Sequence, residues 1–231
     1  MTIIDGKQTA EEYKATLKQE VKEFVAKGKR PPCLAILLIG NNGASETYVA
    51  NKLKTCHDVG FSASLYRFEN TVSENEVLTC INELNFNSNV DGIIVQSPFP
   101  NHISPQKINE AIHPAKDVDG FHPENFGKMA LDMSTFIPAT PFGILELLER
   151  YNVETKGKHT VVIGRSHIVG RPMSILMGRK GFPGNSTVTV THTHTKNITQ
   201  ITSQADIIIS ALGVPNYLKA EMIKDDAVII D

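Results

Sequence analysis

Apolar and polar positions along this chain alternate between two patterns. Short unbroken apolar runs recur at CLAILLIG (33–40), VDGIIVQ (90–96), HTVVIG (159–164), DIIIS (206–210) and AVIID (227–231). Runs of this length, stopped by glycine or polar turns, are how strands buried on both faces read. Between them apolar residues fall at helical spacing. One such segment covers 8–27 and ends at Gly28; another holds Tyr48 and Lys52, with Ser45 as its expected cap and Gly60 as its end. Ser73 with Glu76 three residues on predicts a helix opened by a reciprocal capping pair. A short helix is expected from Ser104 to Ile112, with Pro105 in its first turn. SASLYRF (62–68) reads as a further strand and HPAKDVDGFHPENFG (113–127) as irregular. Beyond 138, PATPFGILELLERY predicts a turn and an amphipathic helix that bridges two domains. A helix from about 169, a strand at STVTVT (186–191) and a short helix near 197–204 complete a second series. Strands alternating with helices imply an α/β fold with parallel sheets and right-handed crossovers. The expected division is 1–138, a first α/β series, and 139–231, a second.

Composition narrows the function classes. The 231 residues leave room for two small domains. A net charge of −2 offers no electrostatic case for nucleic acid or an acidic membrane. No apolar run approaches the roughly 18 residues of a membrane span. The start, MTIIDGKQTAEEYK, lacks a basic stretch followed by an apolar one, so no secretory signal is expected. Cys33, Cys56 and Cys80 fit no zinc spacing, and their odd number argues against a disulfide framework. They predict reduced thiols in the cytoplasm and no metal site.

Two regions carry candidate chemistry. In VVIGRSHIVGRP, Gly164 stands at a strand exit and Gly170 six residues later, with a helix expected to begin between them. Glycine there lets a phosphate approach the backbone, and a helix N-terminus offers N–H groups. The same spacing also describes a tight turn with no ligand. The next strand runs into TVTVTHTHTK (187–196), where dinucleotide folds that bind an unphosphorylated ribose place an acid. Hydroxyls, His192, His194 and Lys196 stand there instead, and Arg165 flanks the glycine turn. This set favours NADP over NAD. In the first domain Tyr48, Lys52, Gln96 and Asp119 lie at or beyond element ends, where parallel sheets place their chemistry. A desolvated amine relays protons, whereas one paired with a carboxylate stays cationic and stabilises negative charge. Gln96 offers a donor and an acceptor without charge, and Asp119 a carboxylate for the N–H edge of a heterocycle. A solvated helix face and a plain turn explain the same residues if each is taken alone.

Taken together, LLIGNNGASETYVANKLKTCHDVGF, DGIIVQSPFP, KDVDGFHPENFGKM, IPATPFGILELL, VVIGRSHIVGRPM, ADIIISALGVP and KDDAVIID resemble the bifunctional methylenetetrahydrofolate dehydrogenase/methenyltetrahydrofolate cyclohydrolase family, in family order. The resemblance implies an N-terminal α/β catalytic domain over 1–138, a Rossmann-like NADP-binding domain with a parallel sheet over 139–231, a tetrahydrofolate derivative as substrate, NADP as cofactor and a homodimer formed through the cofactor domain. It implies Lys52 as the catalytic lysine, Tyr48 as its partner, Gln96 as the residue that tunes it and Asp119 as the pterin anchor. It implies Gly164, Arg165 and Ser166 as the cofactor turn, with Thr193 where the family commonly has a serine near the ribose phosphate. Ala139 replaces a usual cysteine, read as a packing change. The family pattern continues past the strand that holds Asp231, so the second domain is expected to be truncated. Another two-domain NADP dehydrogenase, of shikimate type, and a regulatory dinucleotide-binding module are the alternatives.

Overall fold

Seven consecutive apolar or small residues, Cys33–Ile39, form strand β1, whose side chains bury in alternation on opposite faces. Ala35, Leu37 and Ile39 enter one apolar cluster, and Ile36 and Leu38 another. A strand sandwiched in this way needs a covering layer on each side. Helix α2, Gly43–Val59, supplies one with Val49 and Leu53. Helices α3, Glu74–Phe86, and α4, Pro105–Ala111, supply the other with Val77, Ile81, Leu84 and Ile108. Each fully buried Leu or Ile of β1 contributes about 1.5–3 kcal/mol. Strands β2, Ser62–Phe68, and β3, Gly92–Gln96, flank β1 in the parallel order β2-β1-β3.

This computed structural model, which describes residues 2–231, divides into two units, Met1–Asn125 and Phe126–Asp231. In the first, helix α1 spans Gly6–Ala26 and begins earlier than expected, because the Asp5 side chain accepts from Gln8 N and caps it. The expected capping box is present: Ser73 and Glu76 bond each other's backbone N–H groups. The segment expected to be irregular holds a 3-10 turn, Pro114–Lys116, and helix α5, Pro123–Ala130, which spans the division.

The second unit repeats the logic. Helix α6, Ala139–Arg150, buries Ile144, Leu145 and Leu148 with Met173, Leu176 and Met177 of α7, Gly170–Gly178. The helix expected as a bridge therefore belongs to this unit's core. Ala139 is exposed at its start, so a methyl in place of a thiol there repacks no core. Strand β4, His159–Ile163, is central; β5, Thr187–Thr191, β6, Ile207–Ser210, and β7, Val228–Ile230, complete a parallel sheet in the order β5-β4-β6-β7. Helix α8, Ile198–Thr202, covers the face opposite α6 and α7, with Ile198 and Ile201 against Val161, Ile163 and Ile208. The chain steps from β4 outward to β5, then back across to β6. That reversal opens the ends of β4 and β6 to a ligand.

Candidate active site

In the first unit the candidate side chains gather where α2 passes the end of β3. The chain leaves β1 through Gly40, whose φ of +79° suits glycine. Asn42 then caps α2, its carbonyl oxygen accepting from Ala44 N and Ser45 N at 3.1 Å each. Ser45 is therefore not the cap. It is buried, and its hydroxyl donates to the Ser97 carbonyl at 3.3 Å, tying α2 to the exit of β3. Its spacing of three from Tyr48 and seven from Lys52 was the available signal, since all three share one helix face.

Lys52 Nζ donates to Gln96 Oε1 at 2.9 Å. Gln96 Nε2 donates to the Ser97 carbonyl at 2.8 Å. An ammonium only donates and a carbonyl only accepts, so the two contacts fix the amide in one orientation. The register of β3 on β1, Leu38 opposite Gln96, sets the height at which the amide meets the amine. Tyr48 stands one turn before Lys52 and is 63% exposed. Asp119 is partly buried, and burial pushes its carboxyl above the usual range; the Lys52 charge opposes this and the Asp117 charge adds to it. Lys52 thus meets Gln96 through a hydrogen bond and Asp119 through charge, with Tyr48 exposed one helical turn away.

Asp117, which sequence reasoning passed over, is 2% exposed. It accepts from Phe121 N at 3.2 Å, His122 N at 2.8 Å and Asn125 Nδ2 at 2.8 Å. The signal was local: KDVDG folds into a turn with a Gly120 N to Asp117 O bond of 3.2 Å and Gly120 at φ +69°. Two acids in one turn, one followed by glycine, face different surroundings.

In the second unit the sheet's C-terminal edge brings three strand exits together. Gly164 N donates to Thr191 O, and Ala211 N to Ile163 O, both at 2.8 Å. Gly164 has φ +120°, and a Cβ there would stand 2.6 Å from the Ala211 carbonyl oxygen. A Cβ on Gly170 would collide with the Gly164 carbonyl. Both glycines are demanded by backbone packing, which brings α7 hard against the strand exit. Helix α7 starts at Gly170 itself. Its early donors are not left open as expected: Ser166 Oγ accepts from Val169 N at 3.1 Å and Gly170 N at 3.4 Å, and Ser166 O from Arg171 N at 2.9 Å. Arg165, Ser166 and Thr193 are exposed.

The loop after β5 is held by a bond from His192 N to Thr195 Oγ1 at 2.9 Å and one from His194 N to His192 Nδ1 at 3.2 Å. The second contact makes Nδ1 an acceptor, which in the neutral ring leaves Nε2 as donor. Residues 192–196 contain no acid, and Ile163 pairs with Thr191, so this loop adjoins the glycine turn. A carboxylate-free loop of hydroxyl, imidazole and ammonium groups beside a glycine cradle fits a dinucleotide whose ribose carries a phosphate. Among the described residues no group of three or more His, Cys, Asp or Glu is arranged to hold a metal ion.

Comparison with known proteins bears on both sites. The tetrahydrofolate dehydrogenase/cyclohydrolase catalytic domain matches residues 4–119, and the NAD(P)-binding domain of the same family matches 138–231. The bifunctional protein FolD of Flavobacterium psychrophilum is 68% identical over 231 residues, all of this chain and 79% of that protein. That of Christiangramia forsetii is 65% identical, over all of this chain and 77% of the relative. The crystal structure of the bifunctional FolD enzyme from Campylobacter jejuni superposes with a TM-score of 0.96 at 41% identity, covering 100% of this chain and 80% of that one. The FolD of Trypanosoma brucei, complexed with NADP cofactor and inhibitor, gives 0.93 at 31% identity, covering 99% and 77%.

Proposed function

The chain belongs to the tetrahydrofolate dehydrogenase/cyclohydrolase family, and from that premise we propose that Tyr48, Lys52, Gln96 and Asp119 carry its folate chemistry while Gly164, Arg165, Ser166 and Thr193 hold its dinucleotide. The protein is a bifunctional enzyme of one-carbon metabolism. It oxidises 5,10-methylenetetrahydrofolate to the methenyl form with NADP and hydrolyses that product to 10-formyltetrahydrofolate. The family assignment removes the shikimate-type and regulatory alternatives.

The observation that carries the site reading is the 2.9 Å contact between Lys52 Nζ and Gln96 Oε1, with Asp119 in electrostatic range. In this reading the Asp119 carboxyl receives the N–H edge of the pterin, and the exposed Tyr48 ring offers a flat surface to it. When bound, NADP supplies the hydride acceptor, so the protein's task in the oxidation is to hold the methylene carbon in a reactive pose. Hydrolysis needs more of the side chains. Water adds to the methenyl carbon, a proton leaves that water, and a proton reaches the departing ring nitrogen. Lys52 is placed to take the first proton and return the second. Gln96 orients the amine without adding a charge beside a cationic substrate. Arg165, Ser166 and Thr193, all exposed at the C-terminal sheet edge, would hold the cofactor's phosphates and phosphorylated ribose.

A homodimer and a cytoplasmic location belong to the same proposal. Strand β5 is an edge of the four-stranded sheet, with Val190 40% exposed, and an unpaired edge invites a second copy. Cys33, Cys56 and Cys80 are free, as in a reducing compartment, and no described helix is long and apolar enough to cross a membrane. Light scattering of the purified chain tests the dimer. The reaction is tested by incubation with 5,10-methylenetetrahydrofolate and NADP, followed by methenyl and NADPH absorbance. Hydrolysis of added methenyltetrahydrofolate that survives a Lys52→Ala change would remove the lysine from the mechanism.

A further inference from the structure

A buried carboxylate with no role in the reaction above lies two residues before Asp119. Asp117 accepts three N–H groups, two from the backbone of Phe121 and His122 and one from the Asn125 side chain. Asn125 is itself 3% exposed, and its Nδ2 also donates to the Pro114 carbonyl at 2.9 Å. Both protons of that amide are thus used on acceptor-only partners, which leaves it one orientation. Burial of a charge is costly unless its lone pairs are satisfied, and here donors come from three positions of one loop. The pair clasps the loop from 114 to 125 at both ends.

The clasp is also anchored to the strand that carries Gln96. Asp117 forms a parallel bridge with Ile93 of β3, three residues before Gln96. The next loop residue, Val118, lies so close to β3 that a Cβ on Gly92 would stand 2.6 Å from its Cγ1. Glycine at 92 lets the loop lie flat on the strand. Asp119 follows as the third residue of a turn closed by Gly120 N to Asp117 O. Its position relative to Lys52 and Gln96 is therefore set by the strand, through Asp117.

We propose that Asp117 and Asn125 are positioning residues of the folate site, a buried carboxylate–carboxamide clasp that holds Asp119 at a set distance from the Lys52–Gln96 pair. The inference rests on the assignment of Asp119 to the pterin. It separates positioning from general support of the fold, because the clasp lies wholly in the first unit and no dinucleotide residue does.

The experiment is steady-state kinetics with 5,10-methylenetetrahydrofolate, alongside equilibrium binding of NADP, on Asp117→Asn, Asn125→Ala and Asp119→Asn. Asp117→Asn keeps the shape but places an N–H donor against donors. It is expected to raise KM for the folate about tenfold, with kcat within about threefold and NADP affinity unchanged. Asn125→Ala, which leaves the two backbone donors on Asp117, is expected to raise KM by a smaller factor in the same direction. Should Asp117→Asn fail to fold, Asn125→Ala decides alone. An unchanged folate KM in the folded variants, or equal losses of folate and NADP affinity, overturns the proposal. Asp119→Asn separates the two levels: if it leaves folate affinity intact, the assignment of Asp119 is wrong. If it weakens folate binding while the clasp variants do not, only the positioning role falls.

Discussion

In the first unit the groups proposed to react are side chains brought from three places: Lys52 from the middle of α2, Gln96 from the end of β3 and Asp119 from a turn. In the second unit the corresponding region is made largely of backbone. Gly164 and Gly170 contribute no side chain and are required because carbonyl groups stand where a Cβ would go. The difference teaches how each site fails. A side-chain site loses chemistry when one functional group is exchanged, and its scaffold survives. A backbone site loses its shape when one carbon atom is added.

The largest effect is expected from Lys52→Met. Removing a proton-transfer group costs about 10²–10⁴-fold in rate. Hydrolysis of methenyltetrahydrofolate should fall by that factor, while fluorescence titration shows NADPH bound as in the parent protein. Weaker NADPH binding in this variant would break the separation between the two sites.

Gly164→Ala tests the other kind of site. The φ of +120° and the 2.6 Å approach to the Ala211 carbonyl make any side chain there strained. Strain of this type costs about 1–3 kcal/mol. A lowered melting temperature and loss of NADP binding are expected together, because the cradle and the fold share the same atoms. A variant with normal stability and no NADP affinity would show that glycine is kept for the ligand alone. Thr193→Asp is gentler, since Thr193 is exposed and the fold does not depend on it. A carboxylate facing a ribose phosphate should weaken NADP about tenfold or more relative to NAD, measured as a ratio of dissociation constants.

The same contrast governs what the sequence reveals. Buried strands and glycine turns are legible because their requirement is local: Cys33–Ile39 and His159–Ile163 are apolar throughout and followed by Gly40 and Gly164. The capping box at Ser73 and the stop at Gly60 are local as well. Ser45 misled because Asn42 and Ser45 are both good caps, and the choice depends on where the chain leaves β1. Helix α5 carried its signal in Pro123 and Glu124, with His122 Nδ1 accepting from Glu124 N at 3.0 Å, yet it follows a loop whose shape is set elsewhere. Asp117 was beyond local reading altogether. Its burial depends on a bridge to Ile93, twenty-four residues earlier in the chain. Tyr48 and Lys52 had the right spacing, but only the contact with Gln96, forty-four residues away, distinguishes them from a solvated face.

The smallest effect concerns Asp119, and its sign follows from burial. The folded protein holds the Asp119 proton more tightly than the unfolded chain does, first because of desolvation, with Asp117 adding and Lys52 opposing. A carboxyl raised in this way favours folding while it is protonated, and that contribution is lost as pH rises through its folded value. At neutral pH Asp119 is therefore a burden on stability, one that its proposed role at the folate accounts for. Asp119→Asn cannot titrate. Its melting temperature relative to the parent should climb as pH rises from the acid range and level off near neutrality, even as folate affinity falls. The penalty of Gly164→Ala has no titrating group behind it and should stay flat over the same range. A flat difference for Asp119→Asn would mean that its carboxylate is not held out of water. The two units would then no longer differ in how their sites load the fold.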